Sequence, residues 1–524
     1  MFFGQDDLPE TMRSDEPGSN MWAIGGSRSA TGNPLMLGNP HLPWNGLYLF
    51  FEAQQVTPDR NFYGVTLVGM PTMAIGFNDF VAWSHTVNTQ DGADTYRLVR
   101  MGEGYRFDGA EKAFTTRTEV IGVRQPDGSI QSDTIVVKES VHGPVIDEDA
   151  RTALAVRVAG LDDPGFGEQW WRMAGARSMG EFESIVSEVH IPFFNIMAAS
   201  QDGHIYYFFG GKTPSRSRGD FAYWNAPVPG DSSSLLWTGT LPYAQLPHVT
   251  DPPNGWLQNA NDPPWTATWP VIFHPDSYPA YLSPRQMGFR PQRSVLMQLE
   301  DSSVTLEELV AAKHSTRMAL ADRVLPELIE AARGRGDGDA RRAAEVLEQW
   351  DRSADAGSRG TVLFESWVRA YFRQSRGRPF ARPWSLDSAI TTPAGLADAG
   401  AAAAALSSAA KEVVAKHGAL DVPYGDVARL RYGGKDLPGN GSAGDPFGVF
   451  RVAYYEPDAD GKLKITAGDS YYQAVELGKP VRAKVLTAYG NATQPGSKHI
   501  GDQLELFSRK EMRDAWRTRA EVEA

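Results

Sequence analysis

Residues 18–44, with the sequence GSNMWAIGGSRSATGNPLMLGNPHLPW, constrain the fold of this chain more than any other stretch. Two apolar runs, residues 21–24 and 35–37, are separated by glycines and a polar segment. Short apolar runs bounded by Gly, Ser and Asn are typical of buried strands joined by a turn. The sequence therefore predicts a buried hairpin with Ser19 near its start.

Two interpretations fit Ser19. Gly18 before it has no side chain to block approach to its carbonyl group, and the amide of Asn20 after it can orient a neighbouring group. A serine at the start of a buried strand is usually no more than the end of that strand. On these residues alone, the structural interpretation is the simpler one.

Composition excludes several classes of protein. The net charge of −13 and the isoelectric point near 5.3 argue against a nucleic-acid partner. The absence of cysteine excludes disulfides and thiolate metal sites. No apolar run reaches the length of a membrane span, and residues 1–18 lack the basic and apolar regions of a signal peptide. The sequence predicts neither a membrane nor a nucleic acid as partner.

No familiar catalytic motif competes with Ser19. There is no HExxH, P-loop or cysteine-based signature, and the ten histidines are scattered. The string Asn-Gly-Ser-Ala-Gly at residues 440–444 lacks the first glycine of a nucleophile elbow. A conventional serine triad therefore cannot be assigned.

Longer strings resemble a known family. Ser-Asn-Met-Trp at 19–22, Gly-Asn-Pro-His-Leu-Pro-Trp at 38–44 and later segments reaching the C-terminal region are similar to the β-chain of the penicillin amidase family of N-terminal-nucleophile hydrolases. Within that family, the acyl-homoserine lactone and aculeacin-type acylases are most similar. The resemblance implies an α+β fold with a four-layer αββα core and a helical insertion.

The resemblance also implies a mechanism. A precursor cuts itself before Ser19, which then acts as nucleophile with its own α-amine as general base. An α-amine has a pKa of about 7.7–8.0, so a useful fraction is neutral near pH 7. The oxyanion hole would consist of the Val87 N–H and the Asn261 side chain. An Asn-Asp-Pro turn is the alternative for Asn261.

Two more residues receive roles from the resemblance. Arg290 matches the arginine that holds the active-site Asn, with Arg293 as the fallback and a solvated charge pair as the alternative for either. His41 occupies the place of the family's His or Gln beside the nucleophile. A His there is shared by lactone acylases and cephalosporin-type acylases. Leu42, Trp44 and Val68 are predicted to form an apolar wall for an aliphatic acyl chain.

A structural calcium is implied at Asp91, Ala93 and Asp94, where related acylases bind one. Two carboxylates three residues apart, with a carbonyl between them, can converge on a hard cation. An Asp-Gly turn is the alternative meaning of this string. No cofactor is required for the chemistry itself.

The chain divides by composition into a linker at 1–18, a first core part at 19–301, a helical insertion at 302–425 and a closing core part at 426–524. A capping box at residues 305–308 and an Ala-rich stretch ending before Gly418 mark the insertion. A disordered terminus is the alternative, or an addition, to the linker at 1–18.

The sequence thus predicts an acylase that cleaves the amide between an apolar acyl group and an amine such as homoserine lactone. A penicillin, cephalosporin or lipopeptide acylase is the alternative of the same class. Family members carry a substantial α-segment before the nucleophile, whereas eighteen residues precede Ser19 here. We therefore expect the α-segment to be missing, truncated or encoded elsewhere. A non-catalytic remnant is the alternative of another class. Family members are usually exported, and the sequence leaves the compartment of this chain open.

Overall fold

The computed structural model describes residues 18–492, 494 and 496–523. The predicted linker at 1–18 lies outside these residues, except for Gly18. Among the described residues, no helix combines the length and apolarity needed to cross a bilayer.

The strands of the described residues are numbered in chain order. They are β1 Gly18–Ile24, β2 Leu35–Pro43, β3 Phe50–Val56, β4 Asn61–Leu67, β5 Ile75–Phe77, β6 Val81–Val87, β7 Ala93–Met101, β8 Gly104–Phe107, β9 Ala110–Lys112, β10 Thr115–Arg124, β11 Ile130–Ser140, β12 Gly143–Glu148, β13 Thr152–Val158, β14 Phe194–Ser200, β15 Ile205–Phe208, β16 Val228–Pro229, β17 His248–Thr250, β18 Trp256–Asn259, β19 Phe380–Arg382, β20 Ala394–Leu396, β21 Ala428–Tyr432, β22 Lys435–Pro438, β23 Ala453–Pro457, β24 Leu463–Asp469, β25 Tyr471–Glu476, β26 Arg482–Thr487 and β27 Arg513–Asp514.

The helices are numbered in the same way. They are α1 Phe166–Met173, α2 Met179–Val186, α3 Phe221–Trp224, α4 Phe289–Glu300, α5 Leu306–Lys313, α6 Ala319–Arg335, α7 Gly338–Gln349, α8 Thr361–Gln374, α9 Ala399–His417, α10 Tyr424–Val427, α11 Gly444–Phe447, α12 Leu504–Arg509 and α13 Arg519–Glu523.

Two sheets form the centre of the molecule. The first runs in the order β22-β21-β24-β2-β25-β26-β27, with β1 between β2 and β18 and with β23 on β24. The second runs in the order β17-β15-β14-β6-β5-β4-β3. Strands β1 and β2 contact β6 and β14, so the two sheets pack face to face.

The predicted hairpin is confirmed. β1 and β2 pair antiparallel, with Met21 opposite Gly38. Met21 and Ala23 point into the core between the sheets, whereas Trp22 and Ile24 point to the opposite face, where α4 and α5 lie. Because β1 is buried on both faces, its second half, residues 21–24, is continuously apolar instead of alternating.

Helices cover the outer faces of the sheets. α2 packs against β14 and β15 of the second sheet, with α1 beside it, and α5 packs against β25 of the first sheet. This arrangement is the predicted αββα core. Helices α6 to α9 pack on one another around a separate apolar cluster that includes Leu325, Leu363 and Leu406. The capping box at Thr305 and the left-handed cap at Gly418 are confirmed.

A buried histidine outside the candidate site leads to a testable pH dependence. His142 is fully buried among the rings of Tyr96, Tyr105 and Phe107, and neither ring nitrogen has a hydrogen-bond partner among the described residues. Burial, with a smaller contribution from Arg157, lowers the pKa of His142 to about 4. The unfolded chain therefore binds a proton that the folded protein does not bind between about pH 6.5 and 4.

We predict that the His142→Phe variant loses less stability than the parent protein as the pH falls from 6.5 to 4. The stability lost between pH 6.5 and pH 4 should differ by about 3 kcal/mol between the two proteins. Chemical denaturation across this pH range measures it, with His274→Phe as an exposed control. Parallel pH profiles for the parent and His142→Phe would contradict the prediction.

Candidate active site

Ser19 is the second residue of β1 and follows Gly18. Its side chain is buried, and its Oγ donates a hydrogen bond of 2.5 Å to the carbonyl oxygen of Gly18. Its backbone N–H donates to Asn261 Oδ1 at 2.6 Å. The hydroxyl therefore lies beside the carbonyl group that it would attack.

Asn261 joins three parts of the site. It follows β18 with a φ of +61°, a left-handed conformation that Asn tolerates better than most residues. Its Oδ1 accepts from the Ser19 N–H and from Arg290 Nη2, the latter at 2.9 Å. Its Nδ2 donates to the Val87 carbonyl oxygen at 2.8 Å. The structure thus brings Ser19, the Val87 backbone and Asn261 together.

Arg290 lies in the first turn of α4 and is almost fully buried. Its Nη1 donates to the Ser19 carbonyl oxygen and to Asn20 Oδ1, each at 2.8 Å. Its Nη2 donates to Asn261 Oδ1 and, at 2.8 Å, to Asp445 Oδ2. Arg290, and not Arg293, therefore reaches Ser19.

Asp445 is a site residue that the sequence did not reveal. It follows the Asn-Gly-Ser-Ala-Gly string, which we considered only as a serine motif. Gly444 lies against Arg290, since a Cβ at Gly444 would fall 2.7 Å from Arg290 Cδ. A glycine followed by an acid, at what proves to be the start of α11, was the available signal, but nothing in the sequence connected it to Arg290.

His41 lies on β2 directly opposite Gly18. Its Nε2 is 2.7 Å from Asn39 Oδ1 and 3.1 Å from Asp469 Oδ1. Because Asn39 Oδ1, the nearer of the two, can only accept, we assign the proton to Nε2 and the free lone pair to Nδ1. Asn20 Nδ2 lies 3.2 Å from the same nitrogen and donates to the Phe450 carbonyl oxygen at 2.8 Å. Nδ1 faces the site, since a Cβ at Gly18 would lie 3.6 Å from it. Burial lowers the pKa of His41 to about 4, so the ring is neutral at pH 7.

Behind His41 lies a buried ion pair that sequence analysis missed. Asp469 Oδ2 accepts from Lys313 Nζ at 2.8 Å and from the Tyr472 hydroxyl at 2.6 Å. Burial alone would raise the pKa of Asp469, but Lys313 and His41 hold it below its usual range. The sequence analysis assigned no role to either Asp469 or Lys313.

The three residues predicted to form the acyl wall lie in different environments. Leu42 is partly buried at the core between the sheets, and Val68 is 41% exposed just after β4. The prediction for Trp44 is corrected, because its side chain is buried in the apolar cluster that includes Leu325, Leu363 and Leu406. The rings of Tyr432, Tyr489 and Phe507 each contact it edge-on, so the Trp44 ring packs as a core side chain.

The predicted calcium residues also have a different environment from the one expected. The guanidinium of Arg216 contacts the carboxylates of both Asp91 and Asp94. The backbone of Ala93 begins β7. Within the described ranges, no group of three or more His, Cys, Asp or Glu side chains is arranged to hold a metal ion.

Comparison with known proteins agrees with this architecture. The family model described as penicillin amidase matches residues 3–524. The acyl-homoserine lactone acylase PvdQ of Pseudomonas syringae pv. syringae is 29% identical, over 95% of this chain and 68% of that protein. Aculeacin-A acylase of Actinoplanes utahensis is 26% identical, over 94% and 67% respectively.

The fold has a solved counterpart. A thermostable penicillin G acylase from Alcaligenes faecalis superposes with a TM-score of 0.70 at 19% identity, over 96% of this chain and 97% of that one. The architecture is therefore that of the N-terminal-nucleophile hydrolases. The chain belongs to the penicillin amidase family, and it is a hydrolase that acts on amide bonds.

Proposed function

We propose that this hydrolase is an acylase in which Ser19, released by cleavage of the Gly18–Ser19 bond, is the nucleophile. Its substrate would be an amide between an apolar acyl chain and an amine such as homoserine lactone. The observation that carries the proposal is the convergence of Asn261 and Arg290 on the backbone of Ser19, whose Oγ lies 2.5 Å from the Gly18 carbonyl oxygen.

Maturation begins with attack of Ser19 Oγ on the Gly18 carbonyl carbon. The hydroxyl proton passes to the departing Ser19 nitrogen as the C–N bond breaks, which leaves an ester between Gly18 and Oγ. Water then hydrolyses the ester, so that Gly18 gains a carboxylate and Ser19 regains its hydroxyl. The Asn261 contact with the Ser19 N–H supports this step, because it fixes the nitrogen that leaves.

The mature site would use the same groups on a substrate. The free amine of Ser19 accepts the Oγ proton as Oγ attacks the substrate carbonyl. Asn261 Nδ2 has two hydrogens, of which one is bonded to the Val87 carbonyl oxygen and the other remains for the oxyanion. The Val87 N–H is the second donor in the proposal. The substrate C–N bond then breaks, the protonated Ser19 amine gives its proton to the departing amine, and the acyl group remains on Oγ as an ester. Water hydrolyses this acyl-enzyme, which releases the acid and restores the Ser19 hydroxyl.

The amine part of the substrate and the α-segment belong to the proposal as well. PvdQ is named as an acyl-homoserine lactone acylase, and this chain spans about two thirds of its length. We propose that the chain works with an α-segment of the kind found in the family. A penicillin, cephalosporin or lipopeptide acylase is the alternative within the class, and a non-catalytic remnant is the alternative outside it.

A substrate panel tests the proposal. Protein that begins at Ser19, with and without a co-expressed α-segment, is assayed for amine release from acyl-homoserine lactones of short and long chain, penicillin G and cephalosporin C. We expect the highest kcat/KM for a lactone with an aliphatic acyl chain. A preference for either antibiotic favours the alternative within the class, and no release from any amide favours the remnant.

A second prediction concerns Asn261. The Asn261→Ala variant, prepared with Ser19 at its N-terminus, should lose about 10²–10³-fold in kcat, since one oxyanion donor contributes about 2.7–4 kcal/mol to transition-state stabilisation. KM should change much less. Asn254→Ala is the matched control, because Asn254 bonds to Thr268 and the Pro270 carbonyl, outside the site. An Asn261→Ala variant with the kcat of this control would remove Asn261 from the oxyanion hole.

A further inference from the structure

Arg216 is a buried cation held between two aspartates. Its side chain has no exposed surface. Its Nε and Nη2 donate to the two carboxylate oxygens of Asp94 at 3.1 and 2.9 Å. Nη2 also donates to the carbonyl oxygen of Asp91 at 2.8 Å and lies 2.9 Å from Asp91 Oδ2. One guanidinium therefore contacts four oxygens of this turn.

Aromatic rings surround the guanidinium, whose Nη1 is buried without a hydrogen-bond partner among the described residues. The rings of Trp224 and Tyr281 lie 5.0 and 5.6 Å from Arg216 Cζ, within the range of cation–π attraction. The indole N–H of Trp237 donates to Asp94 Oδ2 at 2.6 Å, so this oxygen accepts hydrogen bonds from both Trp237 and Arg216. Aromatic faces favour a flat, weakly hydrated cation and offer no oxygen to a metal ion.

A calcium ion does not fit these residues as they stand. Ca²⁺ takes six to eight oxygen ligands at 2.3–2.6 Å. Both carboxylate oxygens of Asp94 and the Asp91 carbonyl oxygen already accept from Arg216, and Asp91 Oδ2 lies 2.9 Å from its Nη2. A dication there would also lie against a buried positive charge. The two carboxylates and the Asp91 carbonyl point at one centre, and the guanidinium occupies that centre.

We propose that Arg216 is the built-in cation of this site and takes the structural place of a calcium ion. It ties the start of β7 to the segment that follows β15. The connection between β6 and β7 is fixed at two more points, by bonds from Asn88 to the Gly210 carbonyl and from Gln90 to the Pro192 carbonyl. The stability of this connection is therefore independent of calcium.

The proposal predicts that calcium can replace the guanidinium once it is removed. In an Arg216→Ser variant, Asp91 and Asp94 would leave two unpaired carboxylates around a cavity. A dication balances these charges, and the freed oxygens become available as its ligands. An Arg216→Lys variant keeps a positive charge in place, so it should gain nothing from calcium.

Thermal unfolding of the full chain, in EDTA and in millimolar CaCl₂, tests this. We expect the parent protein to unfold at the same temperature in both. Arg216→Ser should unfold at least about 5 °C lower in EDTA, because breaking a buried ion pair leaves uncompensated charge. Calcium should recover at least half of that loss in Arg216→Ser and none in Arg216→Lys. Adding Asp94→Asn to Arg216→Ser should remove the recovery.

Three results would overturn the proposal: a parent protein stabilised by calcium or destabilised by EDTA, an Arg216→Ser variant as stable as the parent, or no calcium response in that variant. If Arg216→Ser fails to fold in EDTA, refolding yield with and without CaCl₂ provides the same comparison. Metal analysis of the parent protein purified from a calcium buffer is a further measurement, and stoichiometric calcium would contradict the proposal.

Discussion

The Ser19→Ala variant should lose amide hydrolysis by about 10⁴-fold or more, because no other group at the site can form the acyl-enzyme. To separate this loss from a failure of maturation, both proteins are produced with residue 19 at the N-terminus. The amine is then present in each, and only the hydroxyl differs. Release of amine from the preferred substrate of the panel measures the effect.

The fold should survive this change. Among the described residues, the Ser19 hydroxyl bonds to the Gly18 carbonyl alone. Gly18 is absent from both proteins that begin at residue 19, so the unfolding temperature should shift little. Ser27→Ala, in the exposed turn between β1 and β2, is the matched control and should keep full activity. Hydrolysis by Ser19→Ala within tenfold of the parent would rule out Ser19 as nucleophile.

The Arg290→Met variant should lose both activity and stability. Arg290 donates to the Ser19 carbonyl, Asn20, Asn261 and Asp445 while almost fully buried. Removal leaves Asp445 without its cation and Asn261 without a restraint, at a cost of about 3–5 kcal/mol in unfolding free energy. We expect kcat to fall by at least about 10²-fold, since a misplaced oxyanion donor is nearly as costly as a missing one.

Two further variants separate the loss of the Arg290 contacts from a general effect of removing an arginine from α4. Arg293→Met, one turn along α4, removes a guanidinium that pairs with the exposed Glu300, and should cost less than about 1 kcal/mol. Arg290→Met combined with Asp445→Leu should recover part of the stability without the activity, because no unpaired carboxylate remains. Full activity in Arg290→Met would show that Arg290 has no role in positioning the site.

The sequence predicted what depends on local pattern. The β1–β2 hairpin followed from its apolar runs, and the cap of α5 followed from its Thr-x-x-Glu spacing. Val87, Asn261 and Arg290 came from family resemblance instead, since a backbone donor has no side-chain signature. The structure adds the convergence of these residues around Ser19.

The residues that sequence reasoning missed act across long distances in the chain. Lys313 donates a hydrogen bond to Asp469, which is 156 residues away in the sequence, and Arg290 donates to Asp445, which is 155 residues away. Trp44 was assigned to the substrate wall because the sequence cannot distinguish an aromatic residue that lines a pocket from one that packs in a core. The aspartates at 91 and 94 suggested a metal because their counter-ion lies more than a hundred residues later.

The intact mass of the purified chain, alone and after co-expression with an α-segment, tests the central claim most directly. The account predicts a product that begins at Ser19, formed by the parent protein in at least one of the two conditions and by Ser19→Ala in neither. Cleavage only with the α-segment would show that this segment completes the site. A parent chain that stays uncut between Gly18 and Ser19 in both conditions, or a Ser19→Ala variant that is cut there, would contradict it.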